Sequence, residues 1–403
     1  MAAKTALIVG AGPAGATLAL LLARRGVPVT LLEKHHDFAR TFRGEGLQLS
    51  AIDAIRQMGL GDQLERLPKT SINMVEFHLG GKLCGRIPAA AFGGQAALIS
   101  QPALLGMLVD QAKKYPSFQL ALRTTARDLI REDGRVAGVR TDTPARSRDY
   151  RADLVVGTDG RHSTARKHGP FTEMKAPQNF DVLWVEVPLP DWWEPNTART
   201  EIGRNYLTAF LPTADGQLRI AFTITKGGFK ELRAQGTEAW TEELIHRTTP
   251  QMVDYLRAHR DAVSRAVVLD VVVGRLATWT APGLLLIGDA AHPMSPVGGQ
   301  GINMALRDAV VAANHLCPVL AAGGDAAAID AAARQVEVER TPEIVATQQH
   351  QEKQGRLFLE PGFRTRLLLR FLPFLARTGL ARLLMGKRAK ALSHGTVPVR
   401  LTV

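Results

Sequence analysis

Gly10-Ala11-Gly12-Pro13-Ala14-Gly15 spaces three glycines as GxGxxG, between an apolar run and a run of helix formers. In that context each glycine has a separate task. Gly10 permits a tight turn out of the strand, Gly12 lets the backbone approach a pyrophosphate, and Gly15 allows close packing of helix on strand. The N–H groups of the helix start, where Pro13 and Ala14 lie, then face the phosphates. Further on, Glu33 ends a second apolar run, where a carboxylate accepts hydrogen bonds from ribose hydroxyls and repels a 2′-phosphate. NADP is therefore not the dinucleotide of this turn. A tight turn without a ligand is the bland alternative, and the strand, helix and Glu33 together argue against it.

Two more clusters lie far along the chain. Gly157-Thr158-Asp159-Gly160-Arg161-His162-Ser163-Thr164-Ala165-Arg166 follows the apolar residues 154–156. A glycine turn with Asp, Ser and Arg at the mouth of a strand suits polar contacts to a dinucleotide, although Asp-Gly is above all a turn signal and a plain loop reads equally well. Gly288-Asp289-Ala290-Ala291-His292-Pro293 is followed by Pro296-Val297-Gly298-Gly299-Gln300-Gly301-Ile302-Asn303. Here a buried strand delivers Asp289 to a loop whose glycines let backbone lie against a flat group. The chain then enters a helix whose first N–H groups stabilise a developing anion. Reduced flavin carries negative charge near N1 and O2, so the arrangement fits a flavin ring; an uncommitted glycine-rich loop is the alternative.

The elements that must position these clusters follow from periodicity. Residues 5–9 and 27–32 read as short strands around a helix that runs to about residue 25, a βαβ start. Residues 48–58 and 102–112 have helical spacing, whereas 72–78, 117–121, 125–130 and 135–140 read as strands, with Glu132-Asp133-Gly134 as a turn. Residues 181–188 and 205–224 alternate polar with β-branched or aromatic side chains, as an open antiparallel sheet requires. Residues 283–287 form one more apolar strand, a long helix starts near Gly301, and another covers 326–351. The expected fold is α/β: a Rossmann-like FAD-binding domain with an inserted antiparallel substrate sheet and C-terminal helices. The nucleotide domain would comprise 1–71, 98–180 and 280–355, and the substrate domain 72–97 and 181–279, leaving 356–403 as a basic amphipathic tail.

Composition excludes several other classes. Apolar residues at 45% and charged residues at 22% are those of a folded globular chain. The only two cysteines, Cys84 and Cys317, form no CxxC or Cys/His cluster, so no metal site is expected and a reducing cytoplasm fits. The net charge of +12 is concentrated at the end: residues 361–403 hold nine Lys/Arg and no Asp/Glu. That distribution argues against nucleic acid as a partner. No window of 18 apolar residues predicts a membrane span. Within the tail, residues 364–388 mix leucine, phenylalanine and arginine around Pro373. They read as a helix pair closing an entrance, as a peripheral element meeting anionic lipid, or as a segment packed on its own domain.

The order of the three motifs resembles that of the group A flavoprotein monooxygenases, the para-hydroxybenzoate hydroxylase-like enzymes, over about residues 1–350. The resemblance implies FAD as resident cofactor, NADH or NADPH as a transient reductant, and O2 as co-substrate. It implies that Asp289 binds the ribityl chain, that Asp159 lies near the pyrophosphate, and that Pro296 sits by the flavin C4a–N5 edge. Backbone N–H groups of Ile302 and Asn303 would face N1 and O2, with Gly299 and Gly301 in the same turn. Arg43, in Phe42-Arg43-Gly44-Glu45, matches an arginine near the phosphates. Gln101 and Ala126 match positions that contact the cofactor, and Lys34 follows the ribose-binding Glu33.

Such an enzyme hydroxylates an aromatic or other electron-rich small molecule, the oxygen passing through a flavin C4a-hydroperoxide. A base that deprotonates a phenolic substrate would help. His78, Tyr206 and Arg219 fall in the expected substrate sheet, and His292 lies nearest the flavin motif. Trp184, Trp192 and Trp193 are aromatic enough to stack on a flat substrate or to fill the sheet core. The alternative activity is reduction of a polyprenyl-type or other apolar substrate without oxygen insertion. A halogenase would carry a Trp-x-Trp-x-Ile-Pro signature, which the chain lacks.

Overall fold

Ala6–Val9, Leu154–Gly157 and Leu284–Leu286 are buried along their whole lengths, as apolar runs covered on both faces must be. In the computed structural model they pair in parallel with Val29–Leu32 and Phe118–Ala121, and a two-residue strand, Thr280–Ala281, closes one edge antiparallel. The structure describes residues 2–39, 45–92, 94–176, 178–203, 205–359 and 393–403. Arg43 and tail residues 364–388 lie outside the described residues.

Pro13 opens the first helix, Pro13–Arg24, where its missing N–H costs nothing. That helix and the long helix Gly301–Ala321 pack on the parallel sheet, and their apolar faces join its strands in the largest core cluster. A second long helix, Ala326–Leu359, follows. Thr125–Glu132, Arg135–Asp142 and Ser147–Arg151 form a separate three-stranded antiparallel sheet. Its first hairpin turns at Asp133 and Gly134, both at positive φ, as the pattern Glu-Asp-Gly predicts.

The seven-stranded sheet runs, from edge to edge, through Val267–Leu269, Phe180–Pro188, Gln217–Thr225, Leu207–Pro212, Thr197–Ile202, Met74–Leu79 and Lys82–Pro88. It is antiparallel except where Thr197–Ile202 meets Met74–Leu79 in parallel. That junction joins two excursions of the chain, 74–88 and 180–269, so no hairpin dictates its direction. Four short helices between Phe229 and Ser264 cover one face over a core of Leu183, Val185, Phe210, Ile220 and Phe222. The other face meets the 293–297 loop through Val297. No helix among the described residues is long and apolar enough to cross a membrane.

Candidate active site

The three motifs, distant in sequence, touch one another. Gly10 has φ +100°, and a Cβ there would lie 2.8 Å from the Asp159 Cα; a Cβ on Gly15 would lie 2.1 Å from the Gly10 carbonyl oxygen. Both glycines are demanded by close approach of backbone. The Thr158 hydroxyl locks the turn by donating to the Val9 and Gly10 carbonyls at 2.9 and 2.6 Å. A Cβ on Gly12 would come no closer than 3.8 Å to the neighbouring Thr158 carbonyl, and no side chain caps the helix that follows. Its first N–H groups, Pro13 excepted, are left for an anion.

Glu33 is buried and fixed beside this turn. One carboxylate oxygen accepts from the Ala11 amide and the other from the His35 amide, each at 3.0 Å. Lys34 is exposed next to it and, with Arg123, Thr125 and Arg127, lines a cavity of about 390 Å³. Ala126 follows Thr125 in the strand that borders that cavity.

Asp159 spends its carboxylate locally. It accepts from the Thr164 and Ala165 amides at 2.7 and 3.2 Å and from the Ser163 hydroxyl, holding the start of the short helix Thr164–His168. Burial pushes its carboxyl up, partly opposed by these bonds. Two arginines of the same motif reach the third: Arg161 pairs with the Asp289 carboxylate at 3.3 Å, and Arg166 donates to the Asp289 and Ala290 carbonyls. Gly288 packs against Ala14 of the first helix.

Pro296 precedes a short 3₁₀ turn, Val297–Gly299, in which Gly298 and Gly299 have positive φ. The helix Gly301–Ala321 then begins without a side-chain cap, so the amides of Ile302 and Asn303 lie in its open first turn. The Asn303 side chain is committed elsewhere. It accepts from the Gln48 amide at 2.8 Å and donates to the Gly46 and Gly299 carbonyls, tying the glycine turn to a neighbouring strand. Gln101, at the start of Gln101–Ala112, is buried, and its side-chain oxygen has no hydrogen-bond partner among the described residues. An open glycine cradle, two uncapped helix starts and this orphaned oxygen fit an FAD lying along the three motifs.

His292 is fully buried. Its Nε2 is 2.6 Å from the Asp308 carboxylate and its ring lies 4.9 Å from that of Trp279. Those contacts place it in the protein interior behind the 288–293 turn.

The substrate-side candidates divide by sheet face. His78 sits on the helix-covered face, bonded to Glu76 at 3.3 Å. Tyr206 lies beneath the Arg247 guanidinium, 5.3 Å from its ring centre, with burial and then Glu201 raising its hydroxyl. Trp193 belongs to the same helix-side core, donating to the Thr197 carbonyl, and Trp192 packs edge-on against Tyr255. Trp184 and Arg219 lie on the opposite face, toward Val297. Across that face the cross-strand row reads Trp184, Ala221, Ala209, Thr200, Phe77, with Glu186, Arg219, Leu211, Ala198 and Val75 in the adjacent row. Arg219 pairs with Glu186 at 3.2 Å and more closely with Glu45. Burial pulls its guanidinium down to about 10.

Arg161 and Arg166 were visible as members of the second motif, and Glu45 only as a neighbour of Arg43 and Gly44. Nothing in their local sequence announced that they would bridge separate segments. Cross-strand alternation could have found the small-residue row.

The chain is similar to known proteins over most of its length. A family model described as an FAD binding domain matches residues 3–345. The chain is 33% identical over 374 residues to 6-methylpretetramide 4-monooxygenase of Streptomyces rimosus, covering 88% of this chain and 84% of that one. It is 28% identical over 370 residues to kynurenine 3-monooxygenase of Stenotrophomonas maltophilia, covering 86% and 78%. Among solved structures, p-nitrophenol 4-monooxygenase of Pseudomonas putida superposes with a TM-score of 0.77 at 19% identity, covering 98% of this chain and 100% of that one.

Proposed function

The chain belongs to the FAD binding domain family, the group A flavin monooxygenases, and from that premise we propose that it hydroxylates a planar, fused-ring phenol or enol held between the seven-stranded sheet and the 296–303 turn. It is an FAD-dependent enzyme that consumes NAD(P)H and O2. Bound FAD, once reduced, supplies the activated oxygen that is transferred to the substrate ring.

One observation carries the substrate assignment. Three small residues, Ala221, Ala209 and Thr200, lie side by side on neighbouring strands, with Trp184 at one end and Phe77 at the other. Strands are about 4.8 Å apart, so the small residues open a trough roughly 10 Å long. That length accepts several fused rings, and the flanking aromatic side chains favour a flat occupant. The relative from Streptomyces rimosus is named for a substrate of the pretetramide type, which agrees with this shape.

Within this reading Arg219 anchors the ionised oxygen of the substrate. Its guanidinium is half-desolvated, so an oxyanion that takes the place of one of its carboxylate partners is held more strongly than in water. Glu45 and Glu186 hold it in place until the substrate arrives. A substrate ring ionised in this way carries more electron density at the carbon to be attacked. The glycine cradle, Glu33, Lys34, Gln101 and Asp289 bind and orient the cofactor, while Arg43 and Ala126 complete the assignment to its phosphates and adenine. Pro296 and Val297 close the trough against water. The two cysteines, both unpaired, support the cytoplasm as the compartment.

The purified FAD-loaded protein should oxidise NAD(P)H faster when offered three- or four-ring phenols than with single-ring phenols. The product should gain one oxygen atom that carries label from ¹⁸O2. Arg219→Met should raise KM by about tenfold or more, since a charged hydrogen bond contributes about 1.5–3 kcal/mol. Equal stimulation by one-ring phenols would sink the trough assignment, and an unchanged KM would sink the role of Arg219.

A further inference from the structure

The final described segment, residues 393–403, returns to the nucleotide-binding core and is fastened there at several points. The Thr396 amide donates to Glu343 at 3.0 Å, the Leu401 amide to Gln57 at 2.7 Å, and the Thr402 amide to Asn314 at 2.9 Å. Gly395 makes the first of these contacts possible. It has φ +83°, and a Cβ there would lie 2.6 Å from a Glu343 carboxylate oxygen and 2.8 Å from the Arg307 guanidinium. Any other residue would be strained at that φ and would crowd the Glu343 carboxylate and the Arg307 guanidinium.

Behind this contact runs an unbroken line of buried charge. Arg307 holds Glu343 through two nitrogens, at 3.1 and 2.8 Å, and also donates to the Val397 carbonyl. Arg340 joins Glu343 to Asp308, which it meets at 2.8 Å. Asp308 in turn accepts from the Gly288 amide at 3.0 Å and from His292 at 2.6 Å. All these side chains are buried, so none can exchange its partner for water without leaving an uncompensated charge. The line starts at backbone of the C-terminal segment and ends on the residue before Asp289.

We infer that residues 395–397 position the turn that carries Asp289, acting through Glu343, Arg340 and Asp308, so that docking of the C-terminal segment is coupled to FAD binding. Glu343 and Asp308 are positioning residues in this scheme, and only Asp289 meets the cofactor. A ligand gains affinity when its site is held in the bound geometry beforehand. The inference rests on the reading that Asp289 binds FAD, so Asp289→Ala serves as an independent control.

The test uses two full-length variants that release the segment by different routes. Gly395→Ala crowds Glu343 and Arg307, while Gln57→Ala with Asn314→Ala removes the partners of the last residues. Hydrogen exchange at Thr396, Leu401 and Thr402 reports whether the segment has left. Flavin fluorescence gives the FAD Kd, and the visible circular dichroism of bound flavin reports its setting. Release should weaken FAD binding by about tenfold, within the usual range of intramolecular coupling, and alter the dichroism. Release with a Kd within twofold of the parent overturns the coupling. Retained protection in both variants overturns it too, because the contacts named here would then not hold the segment. If Asp289→Ala binds FAD unchanged, the cofactor assignment fails instead, and the two failures are distinguishable.

Discussion

Two clusters of buried charge are built to different standards. Behind the Asp289 turn, Arg307 and Arg340 answer Asp308 and Glu343, and backbone amides fill the remaining carboxylate positions. Burial alone would raise the Asp308 carboxyl; His292 and Arg340 hold it far below the carboxylate range instead. On the helix-covered face of the seven-stranded sheet, His78, Glu201 and Thr208 are cross-strand neighbours in one row. Each of the three is buried and keeps one polar atom without a hydrogen-bond partner among the described residues. The contrast separates geometry that must be held from geometry that is tolerated. The four charges leave one another a single arrangement, with only Nδ1 of the flanking His292 lacking a partner among the described residues, whereas the sheet row, with an orphan on every member, stores a cost that mutation can relieve.

The largest effect should come from breaking the completed cluster. Arg340→Met keeps the volume but strands Asp308 and Glu343 without a shared partner. Removing one side of a buried ion network costs about 3–5 kcal/mol. Urea denaturation should show that loss as a lower midpoint with an unchanged slope. A midpoint shift worth under about 1 kcal/mol would mean the cluster is no more constrained than the sheet row.

Glu201 offers the opposite sign. Burial pushes its carboxyl up to about 7, against the partial help of Arg199 and the Thr249 amide. Below about pH 4 both folded and unfolded chains keep the proton, and the group adds nothing. As pH rises the unfolded chain ionises first, so the native state loses stability up to about pH 7 and the loss then levels off. The shift corresponds to about 3 kcal/mol. Glu201→Gln should therefore flatten stability between about pH 5 and 7 and stabilise the protein at pH 8 by about 1–2 kcal/mol. Thermal melts of both forms across that range check it; parallel curves would show that Glu201 titrates as an ordinary carboxyl.

What the sequence disclosed follows the same division. Motifs whose chemistry is local were legible: the GxGxxG turn, Glu33 at a strand end, and the Asp289 turn before a helix each have a short-range pattern. The parallel sheet was legible because an apolar run of four residues beside a glycine turn is too short for a helix and suits a strand buried on both faces. Contacts across long separations left no such mark. Glu45 meets Arg219 across 174 positions (219 − 45), and Glu343 meets Thr396 from another element altogether. The four short helices between residues 229 and 264 escaped notice because none is long enough to show a clear period. His292 looked like a group beside the flavin, and its bond to Asp308 could be seen only once the helix Gly301–Ala321 was in place.

The smallest effect gives the finest test of the comparison. Thr208 is fully buried, and its hydroxyl has no hydrogen-bond partner among the described residues. Thr208→Val preserves shape and β-branching while removing a group whose desolvation has gone uncompensated. Stability should rise by up to about 1 kcal/mol. The turnover number should stay the same, because the side chain points away from the Trp184–Phe77 trough. A loss of stability of similar size would reverse the conclusion. It would mean that the hydroxyl is bonded in solution, most directly to a protonated Glu201 across the strand pair, so that the row is itself a closed network. In that event Glu201→Gln and Thr208→Val should prove non-additive when combined, and the double-mutant cycle would measure the bond.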